Sequence, residues 1–465
     1  MADYLEQLPE QPVARPVPGG AQKALAAGSL PEDGQDLGGL LDFVLESVAP
    51  YPTGNGHPAF FAWINSPPSP PGVIAELLAC AINATCGMGE HALMDLERGV
   101  VRDLAALAGL SATAGGVLTS GGSMANLLCL ATARQWFLQR HGATDGPAYD
   151  QAHARLVAYH SDQAHMSVAK AAADIGLPPG DCAPCPPTPD RRMDLAALRA
   201  AVDRDRAAGL LPFCVVSNLG TTASGAIDTP RPLRACAGST ACDVAPRRRR
   251  VGRALGALLP ELATAYRGIA DLDSLTVDPH KALSVPVGCG AALVTDPEAL
   301  RAASRLPRLL PRRRPGMALA VRLHDRTHPP WHPRPLTLWA TLRHLGRSGV
   351  TALLTHYQDL ARHLRNRIQS HPGLQLCTSG PLPVVCFRLA VPEDGTASAF
   401  HAAVAARLQQ RGHAYLATVE HRGETVLRAC ICNHLTTTAD LDTLLREVLT
   451  TAQELGPPVC DRPTR

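Results

Sequence analysis

From Gly116 onward, short apolar runs alternate with helical stretches. Leu156-Val157-Ala158-Tyr159, Phe213-Cys214-Val215-Val216 and Ala291-Ala292-Leu293-Val294 each read as a strand, and a helix-forming segment separates each from the next. This alternation constrains the fold more than any other feature. It predicts an α/β domain with a mainly parallel sheet. Before it, residues 36–50 have amphipathic helical spacing. A proline bend follows at Pro67, Pro68, Pro70 and Pro71, then a helical pattern through Leu110. From about Pro335 the pattern changes again. A long helix pattern (Leu336 to Ser370) precedes strands at Val384–Arg388 and Thr425–Ala429, with a helical stretch from Ala397 to Arg411 between them. The expected division is an N-terminal helical segment (1–58), a large α/β domain (59–334) and a small α+β C-terminal domain (335–465).

Composition narrows the function. The net charge is +3, and the basic residues do not interleave with aromatics, which argues against nucleic acid as a partner. The arginine runs at Arg247–Arg250 and Arg312–Arg314 read as solvated faces. No apolar stretch reaches the length of a membrane helix, so no membrane partner is expected. Met1 to Pro18 is polar and proline-bearing, without a signal-peptide-like stretch. The 14 cysteines are scattered, many in apolar runs, as in a reduced cytoplasmic protein. Cys182 and Cys185 form a lone C-x-x-C without a second pair at zinc spacing, so no metal site is expected.

Four segments carry chemistry. Thr119-Ser120-Gly121-Gly122-Ser123 follows a short strand and opens a helical run. Glycines admit an anion close to the backbone, and a serine hydroxyl with helix N-terminal N–H groups binds it, so the turn reads as a phosphate cradle. His165 sits just past a strand end, where ligands of open α/β sheets gather and an imidazole can stack on a flat heteroaromatic ring. Asn218-Leu219-Gly220-Thr221-Thr222 again follows a strand and offers hydroxyls. Finally, Ser274 to Lys281 leads apolar, β-branched residues into a turn presenting His280 and Lys281. A partly desolvated lysine there could attack a carbonyl as a neutral amine, and pyridoxal phosphate is one coenzyme held on such a lysine. Taken singly, each segment also reads as an ordinary turn, cap or surface residue.

In this order the segments resemble the group II pyridoxal-phosphate-dependent amino-acid decarboxylases, the set that includes aromatic-L-amino-acid and glutamate decarboxylases. The resemblance spans roughly residues 35–465. It also rests on His57-Pro58-Ala59-Phe60-Phe61, the Pro67/Pro68 bend, and Leu427-Arg428-Ala429-Cys430 with Asn433. It implies a fold-type-I (aspartate-aminotransferase-like) large domain, pyridoxal 5'-phosphate as cofactor and a homodimer. By resemblance, Lys281 holds the coenzyme as a Schiff base and His165 stacks on its ring. Gly122, Ser123 and His280 bind the phosphate, and the Thr222 hydroxyl lies beneath the pyridine ring. His57, Phe60 and Pro67 line the substrate side chain, and Arg428 positions a carboxylate. The implied activity is decarboxylation of an L-amino acid to the amine and CO2, with an aromatic substrate preferred.

Two stretches depart from the family. The family places an acid facing the pyridine nitrogen in a strand soon after the Gly-Thr-Thr loop. Here Asp243 is the one carboxylate between Asp228 and Glu261, and Arg247–Arg250 follow it. Asp243 is the candidate pyridinium partner. Pro246 and four charged residues argue against a buried central strand at that place. The second stretch is a loop between Arg301 and Leu336, where the family carries a tyrosine that returns a proton to Cα. This chain has no tyrosine between Tyr266 and Tyr357; His324, His328 and His332 are the substitutes at hand. The alternative reading is therefore a coenzyme-binding homologue with weak or no turnover. A third is another reaction on the same fold, such as transamination.

Overall fold

The structure is a computed structural model that describes residues 2–26, 30–52, 54, 56–64, 66–84, 91–178, 180–228, 247–251, 254–303, 334–378, 380–391 and 396–456. In chain order the helices are α1 (Ala2–Gln7), α2 (Gly19–Ala26), α3 (Leu37–Ser47), α4 (Pro70–Ile82), α5 (Ala92–Leu107), α6 (Gly122–Arg140), α7 (Gly146–His153), α8 (Ser167–Asp174), α9 (Leu195–Ala207), α10 (Pro279–Ala282), α11 (Pro297–Ala303), α12 (Arg334–Gln369), α13 (Ala397–Arg411) and α14 (Thr438–Leu455). The strands are β1 (Gly115–Thr119), β2 (Leu156–Ser161), β3 (Cys182–Cys185), β4 (Leu211–Asn218), β5 (Arg247–Val251), β6 (Ser274–Val277), β7 (Gly290–Val294), β8 (Leu374–Leu376), β9 (Val384–Leu389), β10 (Ala417–His421) and β11 (Glu424–Cys430).

The chain forms two compact units. One comprises Pro68–Gln358 with Ser379–Val384; the other comprises Met1–Pro67, Asp359–Thr378 and Val385–Arg465. The boundaries expected at 58/59 and 334/335 fall inside these segments rather than at their ends.

The Pro68–Gln358 unit is built on a seven-stranded sheet of order β1-β7-β6-β5-β4-β2-β3. Strands β2 to β6 pair in parallel, and β7 is antiparallel to both β6 and β1. Alternate residues of a strand face opposite sides. Leu156 and Ala158 of β2 pack with Leu130 and Phe137 of α6 and Val168 of α8, while Val157 and Tyr159 pack with Leu198 of α9. Both faces are thus covered, which is why these strands are continuously apolar.

Three details depart from the sequence reading. Arg247–Val251 is a strand, paired with β4 on one side and β6 on the other. The expectation that the arginine run keeps this stretch out of a central strand is corrected by that backbone ladder; Pro246 lies outside the described residues. Cys182 and Cys185 lie on the edge strand β3, where Pro184 costs no inward hydrogen bond. Three residues apart on a strand, the two thiols point to opposite faces. The long helix α12 is two helices merged across a kink at Gly346, whose φ of 63° only glycine adopts freely.

The second unit carries a four-stranded sheet of order β10-β11-β9-β8. Its core joins Val385 and Phe387 of β9, Leu427 and Ala429 of β11, Val404 and Leu408 of α13, and Leu441 and Leu444 of α14. Phe60 and Phe61 from the N-terminal segment belong to the same core. A capping box starts α14: the Thr437 hydroxyl accepts from Asp440 N, and the Asp440 carboxylate accepts from Thr437 N.

Candidate active site

Strands β1, β2, β4 and β6 all run the same way, so the loops that follow them emerge at one edge of the sheet, where open α/β sheets bind ligands. The segment from Thr119 to Ser123 leaves β1, His165 follows β2, Thr222 follows β4, and Asp278 to Lys281 follow β6. The sequence order of the segments becomes a spatial cluster within one unit.

The cradle is tight. A Cβ at Gly290 would lie 2.6 Å from the Gly121 Cα and 2.7 Å from the Thr119 hydroxyl. Strand β7 and the turn after β1 meet backbone to backbone, which only glycine allows. Gly121 leads into α6, so the first N–H groups of a 19-residue helix point outward from the cradle, and Ser123 is exposed there. The His280 ring reaches the same turn, its Cε1 3.5 Å from where a Gly121 Cβ would be. Its Nδ1 donates to the Cys289 carbonyl at 2.5 Å. Burial lowers the His280 pKa, and the neutral ring then has an accepting Nε2. His280 can therefore donate from Nε2 to a phosphate only when protonated.

His165 is held by a relay that sequence reasoning missed. Asn126 Nδ2 donates to the Ser167 hydroxyl at 2.8 Å, and that hydroxyl lies 2.8 Å from His165 Nδ1. The Ser167 N–H also donates to Nδ1, at 3.2 Å. With Nδ1 accepting, the proton of the neutral ring sits on Nε2. Burial lowers the His165 pKa; nearby Lys281 adds to this, and Asp278 opposes it. His165, Lys281 and Asp278 are thus near enough to act on one another electrostatically. Asn126 and Ser167 were legible as part of the motifs, but nothing in the linear sequence paired residues 41 apart.

Lys281 Nζ donates to Asp278 Oδ2 at 2.7 Å. The pair spans one turn of α10, with the lysine side chain about one-third exposed and the carboxylate largely covered. Sequence reasoning gave Asp278 no role; its spacing of three from Lys281 was the available signal. Thr222 is exposed on the turn after β4, while Thr221 is buried and shapes that turn by accepting from the Ala226 N–H at 3.1 Å. Asp228 also sits at the end of β4, but its two oxygens accept from Met193 N and Asn218 N, both at 2.7 Å. It clamps the backbone.

His57, Phe60, Pro67 and Arg428 belong to the other unit. The His57 carbonyl accepts from Asn433 Nδ2 at 2.8 Å, and its buried ring accepts the Ala59 N–H at Nδ1. Phe60 packs against Tyr415 and Trp63. The buried Arg428 donates to the Ala62 carbonyl, so part of its guanidinium is committed to the His57–Pro67 segment. Asn433 and Arg428 thus both fasten that segment, which explains why these distant motifs occur together. Asp243 and the histidines at 324, 328 and 332 lie outside the described residues.

These residues suit pyridoxal phosphate at three points: a glycine cradle at a helix start, an oriented imidazole and a lysine amine. A family model for the pyridoxal-dependent decarboxylase conserved domain matches residues 19–390. The chain is 27% identical over 478 residues to the aromatic-L-amino-acid decarboxylase of Bacillus atrophaeus, covering 98% of this chain and 93% of that protein. It is 30% identical over 452 residues to the aromatic-L-amino-acid decarboxylase of Sus scrofa, covering 93% and 90%. The crystal structure of Oryza sativa TDC with PLP and tryptamine has the same fold, with a TM-score of 0.89 at 23% identity, covering 98% of this chain and 95% of that one. The chain belongs to the pyridoxal-dependent decarboxylases, carboxy-lyases of fold type I whose cofactor is pyridoxal phosphate.

Proposed function

We propose that this chain converts an aromatic L-amino acid to its amine and CO2, with pyridoxal phosphate carried on Lys281. The observation that carries this reading is the convergence of Lys281, His165 and the glycine cradle at one sheet edge. That the Bacillus atrophaeus and Sus scrofa relatives are aromatic-L-amino-acid decarboxylases supports the substrate class. When bound, the coenzyme supplies a sink for the electron pair left at Cα as CO2 departs. The chain's own residues hold and orient. Gly122, Ser123 and His280 take the phosphate end. His165, its Nδ1 fixed by Ser167, presents its ring and its Nε2–H. Thr222 would offer the coenzyme a hydroxyl, Asp243 would be the acid for its pyridine nitrogen, and Lys281 would supply the amine that holds its aldehyde carbon. By the family resemblance, the candidates for contacting the substrate side chain are His57, Phe60, Pro67 and Arg428.

A homodimer fits the exposed apolar faces of two helices. Helix α3 buries no residue and presents Leu37, Leu41 and Leu45; α4 presents Ile74, Leu77, Leu78 and Ile82. Faces of that kind mark association surfaces. Cysteines used as small buried residues, such as Cys129, Cys214 and Cys386, favour a cytoplasmic setting.

One observation favours a second reading, coenzyme binding with little turnover. Strand β5, next to the β6 strand that leads to Lys281, contains no carboxylate. A CO2-release screen over the common L-amino acids with added coenzyme separates the two. Release from an aromatic substrate supports the first reading. A lysine-bound coenzyme band without CO2 supports the second, and formation of a keto acid indicates transamination.

A further inference from the structure

The carboxylate of Asp278 lies where the phosphate cradle begins. A Cβ at Gly122 would meet its Oδ2 at 2.7 Å, its Oδ1 at 3.0 Å and its Cγ at 3.2 Å. The carboxylate therefore lies flat on the first residue of α6, against the positive end of a 19-residue helix. Oδ2 takes the Lys281 ammonium at 2.7 Å. Oδ1 is buried and accepts no hydrogen bond among the described residues. Asp278 also acts on His165 and His280, but burial holds both rings toward the neutral form. Among the described residues, Lys281 is then the cation in contact with Asp278.

We propose that Asp278 competes with the coenzyme's phosphate for the start of α6, so that this chain holds pyridoxal phosphate chiefly through its lysine bond and its ring. The inference rests on the reading of Lys281 as the coenzyme's anchor. When the amine condenses with the aldehyde, water leaves and the nitrogen would keep its positive charge as an iminium. Asp278 would then share that single charge with a phosphate carrying about −1.5 to −2. At contact distances, like charges in a partly buried site repel strongly.

The test is a titration of the coenzyme-stripped protein with pyridoxal 5'-phosphate and, separately, with pyridoxal, following the lysine-bound absorbance band. Asp278→Asn is expected to tighten pyridoxal phosphate by at least about tenfold and pyridoxal by less than about threefold. Equal tightening of both overturns the proposal, because the carboxylate then acts only on the lysine. Unchanged or weaker binding of pyridoxal phosphate also overturns it. Should Asp278→Asn fail to fold, the wild-type chain decides. A preference for pyridoxal phosphate over pyridoxal below about a hundredfold supports the proposal, and a larger one overturns it. Borohydride reduction and peptide mapping test the anchor separately: a label off Lys281 sinks that reading whatever the affinity ratio.

Discussion

Strands β5 and β6 lie side by side, in register from Arg249 opposite Ser274 to Val251 opposite Thr276, and they follow opposite rules. β6 is Ser-Leu-Thr-Val, buried throughout, and it runs straight into the turn that presents Lys281. β5 is four arginines and a valine. In β6 local sequence and tertiary position agree. In β5 the strand is set by its neighbours alone, since β4 and β6 both need a parallel partner between them. The two halves of the proposed cofactor site therefore have different foundations. The lysine and phosphate end is encoded residue by residue, whereas the end assigned to the pyridine nitrogen leans on a segment whose composition opposes its place.

The sharpest way to test the β6 half is Lys281→Ala. It is expected to remove the lysine-bound coenzyme band and to reduce CO2 release to background, because nothing else among the described residues offers an amine in that position. A surviving band, read by absorbance and confirmed by borohydride labelling, would contradict the assignment. For the β5 half, one expected effect is on stability. Converting Arg247–Arg250 to the apolar and β-branched types used in β6 should raise the unfolding free energy by about 1 kcal/mol, since β-branched residues suit strand geometry better than arginine. Urea unfolding at neutral pH measures it. A neutral or destabilising result would mean that strand propensity is not what limits this segment.

What could be read beforehand follows the same divide. Apolar runs such as Val157 to Tyr159 and Val384 to Phe387 identified their strands because burial on both faces leaves little room for polar residues. Glycine-rich turns after strands identified the cradle because close backbone approach excludes Cβ atoms. β3 was hidden by Pro184, which edge strands tolerate. β10 was hidden by the exposed, alternating Ala417–His421. The relay from Asn126 through Ser167 to His165, the pairing of Arg428 with Ala62, and Asp278 under Gly122 are products of chain crossing, and no local pattern announces them.

A smaller change probes the β5 half by chemistry instead of stability. Asp243→Asn removes the candidate acid while keeping its shape. If that carboxylate keeps a proton on the pyridine nitrogen, CO2 release should fall by about a hundredfold with coenzyme affinity little changed, as when a single electrostatic partner is removed. An unaltered rate would leave this half of the site without an acid from the 229–260 segment and would favour the low-turnover reading.

The last expected effect sharpens the comparison from the far side of β6. Through β7, β6 is joined to β1, the edge strand that leads into the cradle. An edge strand has N–H groups without a ladder partner. Here Glu97 of α5 supplies one acceptor, taking the Leu118 N–H at 2.9 Å. Burial raises the Glu97 pKa from 4.5 to about 7; the Leu118 N–H, Arg334 and Arg98 pull the other way. The folded chain therefore favours the protonated carboxyl more than the unfolded chain does. That contribution is complete below about pH 4.5 and is lost as pH rises through 7. Glu97→Gln keeps an acceptor for Leu118 and cannot ionise. It should match the wild type near pH 5 and exceed it by roughly 2 kcal/mol near pH 8, as judged by urea unfolding at both values. A variant less stable at the higher pH would show that the ionised carboxylate, attracted to Arg334, is what secures β1. The cradle would then depend on a buried charge.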